Sequence, residues 1–173
     1  QMAGTFAEWD QGDLDSYLIE ITSEILRYRD VDGEPLLDKI LDMAGQKGTG
    51  KWVGVAALSM NVPVTLIGEA VFARCLSMLK EERMHAAERL RGQRKAFDGD
   101  RAALLEDLRH ALYGAKIVSY AQGFMLMREA AKEYGWELNY GSIASIWRAG
   151  CIIRSAFLGR IKEAYDRNPA LNN

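Results

Sequence analysis

Cysteine, proline and any strong imbalance of charge are all scarce in this sequence. Its 173 residues include two cysteines and three prolines, and the formal net charge is −2. Two cysteines cannot supply a disulfide framework, so we expect Cys75 and Cys151 to be core thiols of a protein in the reducing cytoplasm. The small net charge lacks the basic footprint of a nucleic-acid-binding surface, so we expect no nucleic-acid partner.

Long apolar runs are missing too. No stretch reaches the roughly 18 apolar residues of a membrane span, and no signal peptide opens the chain, so we expect no membrane partner. Apolar residues nevertheless make up 49% of the sequence, enough for the core of one domain of ordinary size. Because runs of β-branched residues separated by tight turns are also lacking, we predict an all-α fold.

Helical periodicity runs through almost the whole chain, and turn-forming residues divide it into segments. We predict a first helix within 1–11 and further helices over 13–29, 35–44, 51–60, 63–91, 101–134 and 142–166. The middle of 101–134 is apolar nearly all round, which is typical of a helix at the centre of a bundle or at a subunit interface. This helix leads us to predict a homodimer.

Two patterns bear on how the chain is organised. The motif Trp-x-x-Gly-x-aliphatic begins at Trp9 and again at Trp147, and a helical pattern follows each occurrence, which permits a duplicated helical unit. The first residues already have helical spacing, and residue 1 is not Met. We therefore expect a fragment whose first helix begins upstream of Gln1.

The stretch AGQKGTGKW, residues 44–52, is nearly a nucleotide-binding P-loop. From Gly45 to Lys51 it reads G-x-x-x-x-G-K, but Trp52 stands where that motif needs a Ser or Thr to hold magnesium. A P-loop also needs a strand before it, and the preceding residues have helical spacing. We therefore reject an NTPase.

The chemistry of this stretch still suits an anion. Three glycines allow backbone N–H groups to converge on an oxyanion, and a helix beginning near Gly50 would add its positive end. Thr49 can donate a hydroxyl hydrogen bond, and Lys47 and Lys51 supply positive charge. A plain helix–helix loop with solvated lysines explains these residues equally well.

Residues 40–52, ILDMAGQKGTGKW, resemble the signature of the 6-phosphogluconate dehydrogenase family, an aliphatic-x-Asp run followed by K-G-T-G-x-W. Further similarity in order and spacing extends over 14–22, 62–83, 119–127, 138–161 and 166–169. The resemblance implies that 1–173 form a single all-helical substrate-binding and dimerisation domain, with two related helical repeats around a long central helix. The family's N-terminal dinucleotide-binding domain and C-terminal tail have no counterpart in these residues.

The resemblance also implies a function. The family oxidises 6-phosphogluconate with NADP and decarboxylates it to ribulose 5-phosphate, in the pentose phosphate pathway and in gluconate utilisation. It implies that Lys47 and Thr49 lie at the substrate phosphate and that Arg74 is a second phosphate ligand, a role suited to its planar fork. Without the resemblance, Arg74 would be interpreted as a helix-surface charge.

The resemblance assigns no catalytic, cofactor-binding or metal-binding residue to this chain. The family's glycine-rich NADP fingerprint, general-base Lys, neighbouring His-Asn pair and proton-donating Glu would lie upstream of Gln1, and its tail beyond Asn173. We therefore expect no cofactor on this chain and no dehydrogenase activity from the chain alone. His85 and His110 lie on charged helical faces and are expected to face solvent.

Two alternatives stay open at this point. The chain could be a non-catalytic helical module that binds a phosphorylated ligand or only associates with itself. Another β-hydroxyacid dehydrogenase would share the all-helical second domain but lacks the K-G-T-G-x-W stretch followed by an Arg-bearing helix.

The segment KEER, residues 80–83, could be paired carboxylates for acid–base chemistry, although a solvated helix face accounts for it more simply.

Overall fold

The protein is all-α, as the sequence predicts. The computed structural model describes residues 1–90, 92 and 96–172, and within these the regular structure is helical, with two isolated β-bridges and no strand. The helices are α1 Met2–Trp9, α2 Tyr17–Arg27, α3 Thr49–Ser59, α4 Thr65–Met78, α5 Lys80–Arg89, α6 Arg101–Tyr134, α7 Tyr140–Ile146 and α8 Phe157–Arg167. Across the described ranges, no helix combines the length and the hydropathy that crossing a bilayer requires.

The chain forms two compact units. The first comprises Gln1–Ile40 and Gly135–Asn173, and the second comprises Leu41–Tyr134. In the first unit α1 packs on α2 and α7 packs on α8. Ser16 and Ser155, each shortly before the second helix of its pair, form an antiparallel bridge. The two Trp-x-x-Gly turns therefore lead into one shared bridge, which gives the sequence repeat a structural counterpart.

The helix predicted over 35–44 is wrong beyond a single turn. Only Leu36–Lys39 are helical, as a 3₁₀ turn, and Ile40 is extended with ψ 134°. Residues 41–48 form an irregular stretch, called here the glycine loop. Its polar groups bind later helices rather than closing a helical ladder, since the Asp42 carboxylate pairs with Lys80 and Arg83 of α5.

The helix predicted over 63–91 is two helices, α4 and α5. Leu79 interrupts the ladder with ψ 50°. The carbonyl of Ser77, which a continuous helix would satisfy from four residues on, accepts from Arg83 Nη2 at 3.1 Å instead. Position 79 is neither proline nor glycine, so the sequence carries no helix-breaking signal there. The predicted end of this helix at residue 91 lies outside the described residues.

The helix predicted over 142–166 is also interrupted, between α7 and α8. Gly150 has φ +64°, a left-handed conformation that glycine adopts at little cost. Ser155 then pairs with Ser16 rather than continuing a helix. Pairing between distant residues therefore overrides the local helical periodicity.

The long helix α6 confirms the predicted bounds of 101–134. The Asp100 carboxylate accepts hydrogen bonds from the N–H groups of Ala102 at 2.8 Å and Ala103 at 3.2 Å, an N-terminal cap. The helix ends before Gly135, whose φ is +67°. Local capping residues therefore set both ends of α6.

A buried glutamine on α6 caps α4. The residue before α4 provides no side-chain cap. Gln122 Oε1 accepts hydrogen bonds from the N–H groups of Leu66 at 3.0 Å and Ile67 at 3.2 Å, and Gln122 Nε2 donates to Thr65 Oγ1 at 3.0 Å. This amide thereby fixes the start of α4 against α6.

Gly50 allows α3 to lie close against α4. A Cβ atom at Gly50 would stand 2.7 Å from Cγ2 of Val71, a distance that side chains do not tolerate. Next to this approach lies a small core in which Ala57, Val62 and Val64 are buried. The glycine-rich sequence is therefore needed for helix packing as well as for the turn into α3.

We predict that Gly50→Ala destabilises the protein by about 1–3 kcal/mol, because Val71 is β-branched and has little freedom to move. The matched control is Gly54→Ala in the same helix, where a Cβ meets nothing within 4 Å. That change should be neutral or stabilise by up to about 1 kcal/mol. Chemical denaturation measures both. Equal effects of the two variants would contradict the proposed contact, and Gly50→Ala combined with Val71→Ala should be non-additive.

We also predict a pH-dependent contribution from Asp42. Hydrogen bonds from Lys80, and then from Arg83, lower the pKa of Asp42 to about 2 in the folded protein. Because the folded-state pKa lies below the unfolded one, the stabilisation is complete above the unfolded pKa and is lost as the pH falls towards about 2. Because the Asp42 side chain is exposed, Asp42→Asn should lower the stability only slightly near neutral pH, and its stability should approach that of the wild type on acidification.

Thermal melts between neutral pH and a pH of about 2 test the Asp42 prediction. Asp38→Asn, which removes an exposed carboxylate that forms no ion pair within the described residues, is the control for loss of one charge. A difference between wild type and Asp42→Asn that persists unchanged at the acid end would contradict the ion-pair origin.

Candidate anion site at the glycine loop

The three predicted phosphate ligands all lie in the second unit. Lys47 is exposed in the glycine loop, Thr49 is the exposed first residue of α3, and Arg74 is exposed on α4. No hydrogen bond or ion pair joins these three side chains to one another within the described ranges. Their common role as phosphate ligands therefore stays a prediction.

Of the two predicted ligands outside the glycine loop, Arg74 is the one whose side chain is bonded to it. Its Nη2 donates a hydrogen bond to the carbonyl oxygen of Gly45 at 2.5 Å. A guanidinium group has five N–H donors in a planar fork, so this bond leaves donors for an anion. Arg74 therefore lies beside the backbone that leads to Lys47.

The start of α3 adds a second source of N–H donors. Gly48 makes the turn with φ +102°, a value that L-residues rarely adopt. The first backbone bond of the helix runs from Trp52 N to the carbonyl of Gly48 at 2.9 Å. The N–H groups of 49–51 therefore precede the ladder, at the end of the helix that carries positive partial charge. Such an end attracts a phosphate or carboxylate.

Two neighbours of Arg74 on α4 also hold the loop. Ser77 Oγ accepts from Ala44 N at 3.2 Å and lies 3.0 Å from the Ala44 carbonyl, to which it can donate. Gln46 Nε2 lies 3.9 Å from Cys75 Sγ, a weak contact to sulfur. The loop is therefore attached to α4 at three successive residues, 44, 45 and 46.

Sequence reasoning missed part of this attachment in the segment KEER. Glu81 and Glu82 are exposed, as a solvated face predicts. Lys80 and Arg83, however, both pair with Asp42 of the glycine loop. The available signal was their spacing, since residues three apart share one face of a helix.

The thiols and histidines contribute little to this site. Cys75 and Cys151 are free, as predicted, but half-buried rather than in the core. His85 and His110 are exposed, as predicted. His110 Nε2 lies 3.2 Å from Glu106 on the same helix.

The glycine loop does not have the geometry of the turn that holds the pyrophosphate of a nicotinamide dinucleotide. Its pyrophosphate is held by a glycine-rich turn between a β-strand and a helix. The glycine loop instead follows a 3₁₀ turn and irregular chain. We therefore assign no residue of the glycine loop to NADP. The missing strand also supports the rejection of a P-loop.

Known proteins match the chain over its full length. The family model for the 6-phosphogluconate dehydrogenase C-terminal domain matches residues 1–173. Human decarboxylating 6-phosphogluconate dehydrogenase is 63% identical over 174 aligned residues, which take in 100% of this chain and 36% of the human protein. The enzyme of Schizosaccharomyces pombe is 60% identical over 173 residues, with 100% of this chain and 35% of that protein covered.

A solved structure agrees with the fold. The Plasmodium falciparum 6-phosphogluconate dehydrogenase, solved in its apo form and in complexes with its cofactor NADP+ and its substrate 6-phosphogluconate, is 42% identical, with a TM-score of 0.92. The match covers 98% of this chain and 37% of that one. The chain thus spans about a third of the length of the proteins it matches. It belongs to the family of 6-phosphogluconate dehydrogenase C-terminal domains.

Proposed function

We propose that this chain is the helical part of a decarboxylating 6-phosphogluconate dehydrogenase and that it holds the phosphate of the substrate. The intact enzyme oxidises and decarboxylates 6-phosphogluconate to ribulose 5-phosphate with reduction of NADP, in the pentose phosphate pathway. Relatives at 63% and 60% identity are such enzymes. The observation that carries the proposal is the hydrogen bond from Arg74 to Gly45, which keeps an arginine against the loop at the start of α3.

In this proposal Lys47, Thr49 and Arg74 form the phosphate end of the site. The two cations balance a phosphate dianion, and the Thr49 hydroxyl adds a neutral donor. The phosphate lies at the far end of the substrate from the carbons that react. Binding energy gained there positions those carbons without taking part in their chemistry.

The remaining parts of the reaction belong to other residues of the enzyme. Proton transfers need an acid–base pair poised near neutral pH, and NADP accepts the hydride when it is bound. In this proposal NADP is bound mainly by other residues of the enzyme, so we expect the chain alone to be inactive. The two free thiols agree with a reducing, cytoplasmic location.

We further propose that the enzyme is a homodimer in which α6 takes part. Leu104, Leu108 and Leu112 recur every four residues on the first half of α6. All three are exposed, Leu108 to 48%. Burying an apolar stripe of this kind lowers the free energy, and a second copy of the same chain would bury it.

Substitution of the phosphate ligands tests the proposed site in the full-length gene product. Arg74→Gln and Lys47→Gln should each raise the KM for 6-phosphogluconate about 10- to 100-fold, the loss expected for a charged hydrogen bond. The KM for NADP should stay unchanged. Arg89→Gln, which replaces an exposed arginine on the neighbouring helix α5, is the matched control.

Gluconate, which lacks the phosphate, sharpens this test. Loss of a phosphate ligand should leave the kcat/KM for gluconate unchanged. A variant that loses equal activity towards 6-phosphogluconate and gluconate would show that the substituted residue does not bind the phosphate. A wild-type protein that binds phosphorylated ligands without turnover would favour the non-catalytic module.

The molar mass of the full-length gene product, measured by light scattering, tests the proposed dimer. We predict a dimer at tens of micromolar, and Leu108→Glu should shift it towards the monomer because a charge replaces an apolar contact. Leu90→Glu, a change at an exposed leucine outside α6, is the control. A monomeric wild type at that concentration would contradict the dimer, and an unchanged Leu108→Glu dimer would place the interface elsewhere.

A further inference from the structure

We propose that Asp42 and Arg83 are positioning residues, which hold the glycine loop in the conformation that binds the phosphate of the substrate. With Lys80 they form what we call the loop clamp. None of the three needs to touch the substrate, because they act through the loop that carries Lys47. This inference rests on the proposed phosphate site.

Arg83 makes three hydrogen bonds through its two Nη groups. Nη1 donates to Asp42 Oδ2 at 3.1 Å, and Nη2 donates to the Asp42 carbonyl at 2.9 Å and to the Ser77 carbonyl at 3.1 Å. One guanidinium therefore joins the side chain and the backbone of the loop to the last turn of α4. A lysine could replace only part of this planar arrangement.

Lys80 completes the clamp from the other side of the carboxylate. Its Nζ pairs with Asp42 Oδ1 while Arg83 holds Oδ2, so both oxygens are engaged. Arg83 Nε is buried and has no hydrogen-bond partner within the described residues. The hold on the guanidinium therefore depends on the bonds that its Nη groups make to Asp42 and Ser77.

The loop has no regular secondary structure to fix its shape. Residues 41–48 belong to no helix or strand, and their side chains are exposed almost throughout. The clamp fixes the loop near its start, and α4 holds it at 44–46. Because the clamp and these α4 contacts together hold the loop from Asp42 to Gln46, we expect them to place the backbone of the neighbouring Lys47 relative to Arg74. Small errors in such placement cost much binding and rate.

The exposure of the clamp separates this role from a purely stabilising one. The Asp42 side chain is 57% exposed, Lys80 is 32% and Arg83 33% exposed, and ion pairs that reach solvent in this way contribute little to global stability. The clamp should therefore matter more for substrate affinity than for the melting temperature. A merely structural ion pair would not give this split.

The test uses the full-length enzyme with Arg83→Gln, Asp42→Asn, the double variant and Arg83→Lys. Arg89→Gln on the same helix is the control. We expect Arg83→Gln and Asp42→Asn each to raise the KM for 6-phosphogluconate about tenfold, with kcat and the KM for NADP within about twofold of wild type. The double variant should be no worse than the more impaired single variant, because the residues act as a unit. Arg83→Lys should restore part of the affinity.

The outcomes distinguish this inference from the proposed function. If wild type turns over 6-phosphogluconate and Arg74→Gln raises its KM, but Arg83→Gln behaves like Arg89→Gln, the clamp is overturned and the phosphate site stands. The clamp is also overturned if the KM for NADP rises as much as the KM for 6-phosphogluconate, or if the effects of the two single variants add in the double variant. If wild type has no activity, the proposed function itself fails. Should Arg83→Gln not fold, Asp42→Asn carries the same test, since it alters one exposed carboxylate.

Discussion

The shape of the glycine loop depends on two helices that follow it in the chain. The loop has no hydrogen-bond ladder of its own, so α4 and α5 hold it through Arg74, Ser77, Lys80 and Arg83. Those helices must in turn be placed correctly. Gln122 caps the start of α4 from α6, and Gly50 lets α3 approach α4. The anion site is therefore a consequence of how the second unit packs.

The parts of the fold that the sequence predicts are those set by neighbours along the chain. The bounds of α6 follow from a local cap at Asp100 and a glycine at 135. The break at Leu79 does not, because the side chain that satisfies the freed Ser77 carbonyl is Arg83, on the next helix. The interruption before α8 depends on a bridge to Ser16, more than a hundred residues away. Periodicity alone carries no information about such partners.

The site divides in the same way. The glycines and lysines of 44–52 suit an anion as well as they suit a plain loop, whereas a role for Arg74 follows only from the family resemblance, since an exposed helical arginine has no distinctive pattern. The spacing of Lys80 and Arg83 is present in the sequence, but a solvated helix face accounts for it more simply. Gln122 was missed because one amide in an apolar helix does not reveal which backbone N–H groups it will meet.

Isolation of the native gene product tests most directly whether this chain is part of a decarboxylating 6-phosphogluconate dehydrogenase. Its length is determined, and the formation of NADPH and carbon dioxide from 6-phosphogluconate and NADP is measured. We predict a protein about three times the length of this chain, since the chain spans 36% of the human relative, and we predict that it releases one carbon dioxide for each NADPH formed. A native product no longer than 173 residues that forms no NADPH would contradict the account. The helical unit would then be a phosphate-binding or self-associating module.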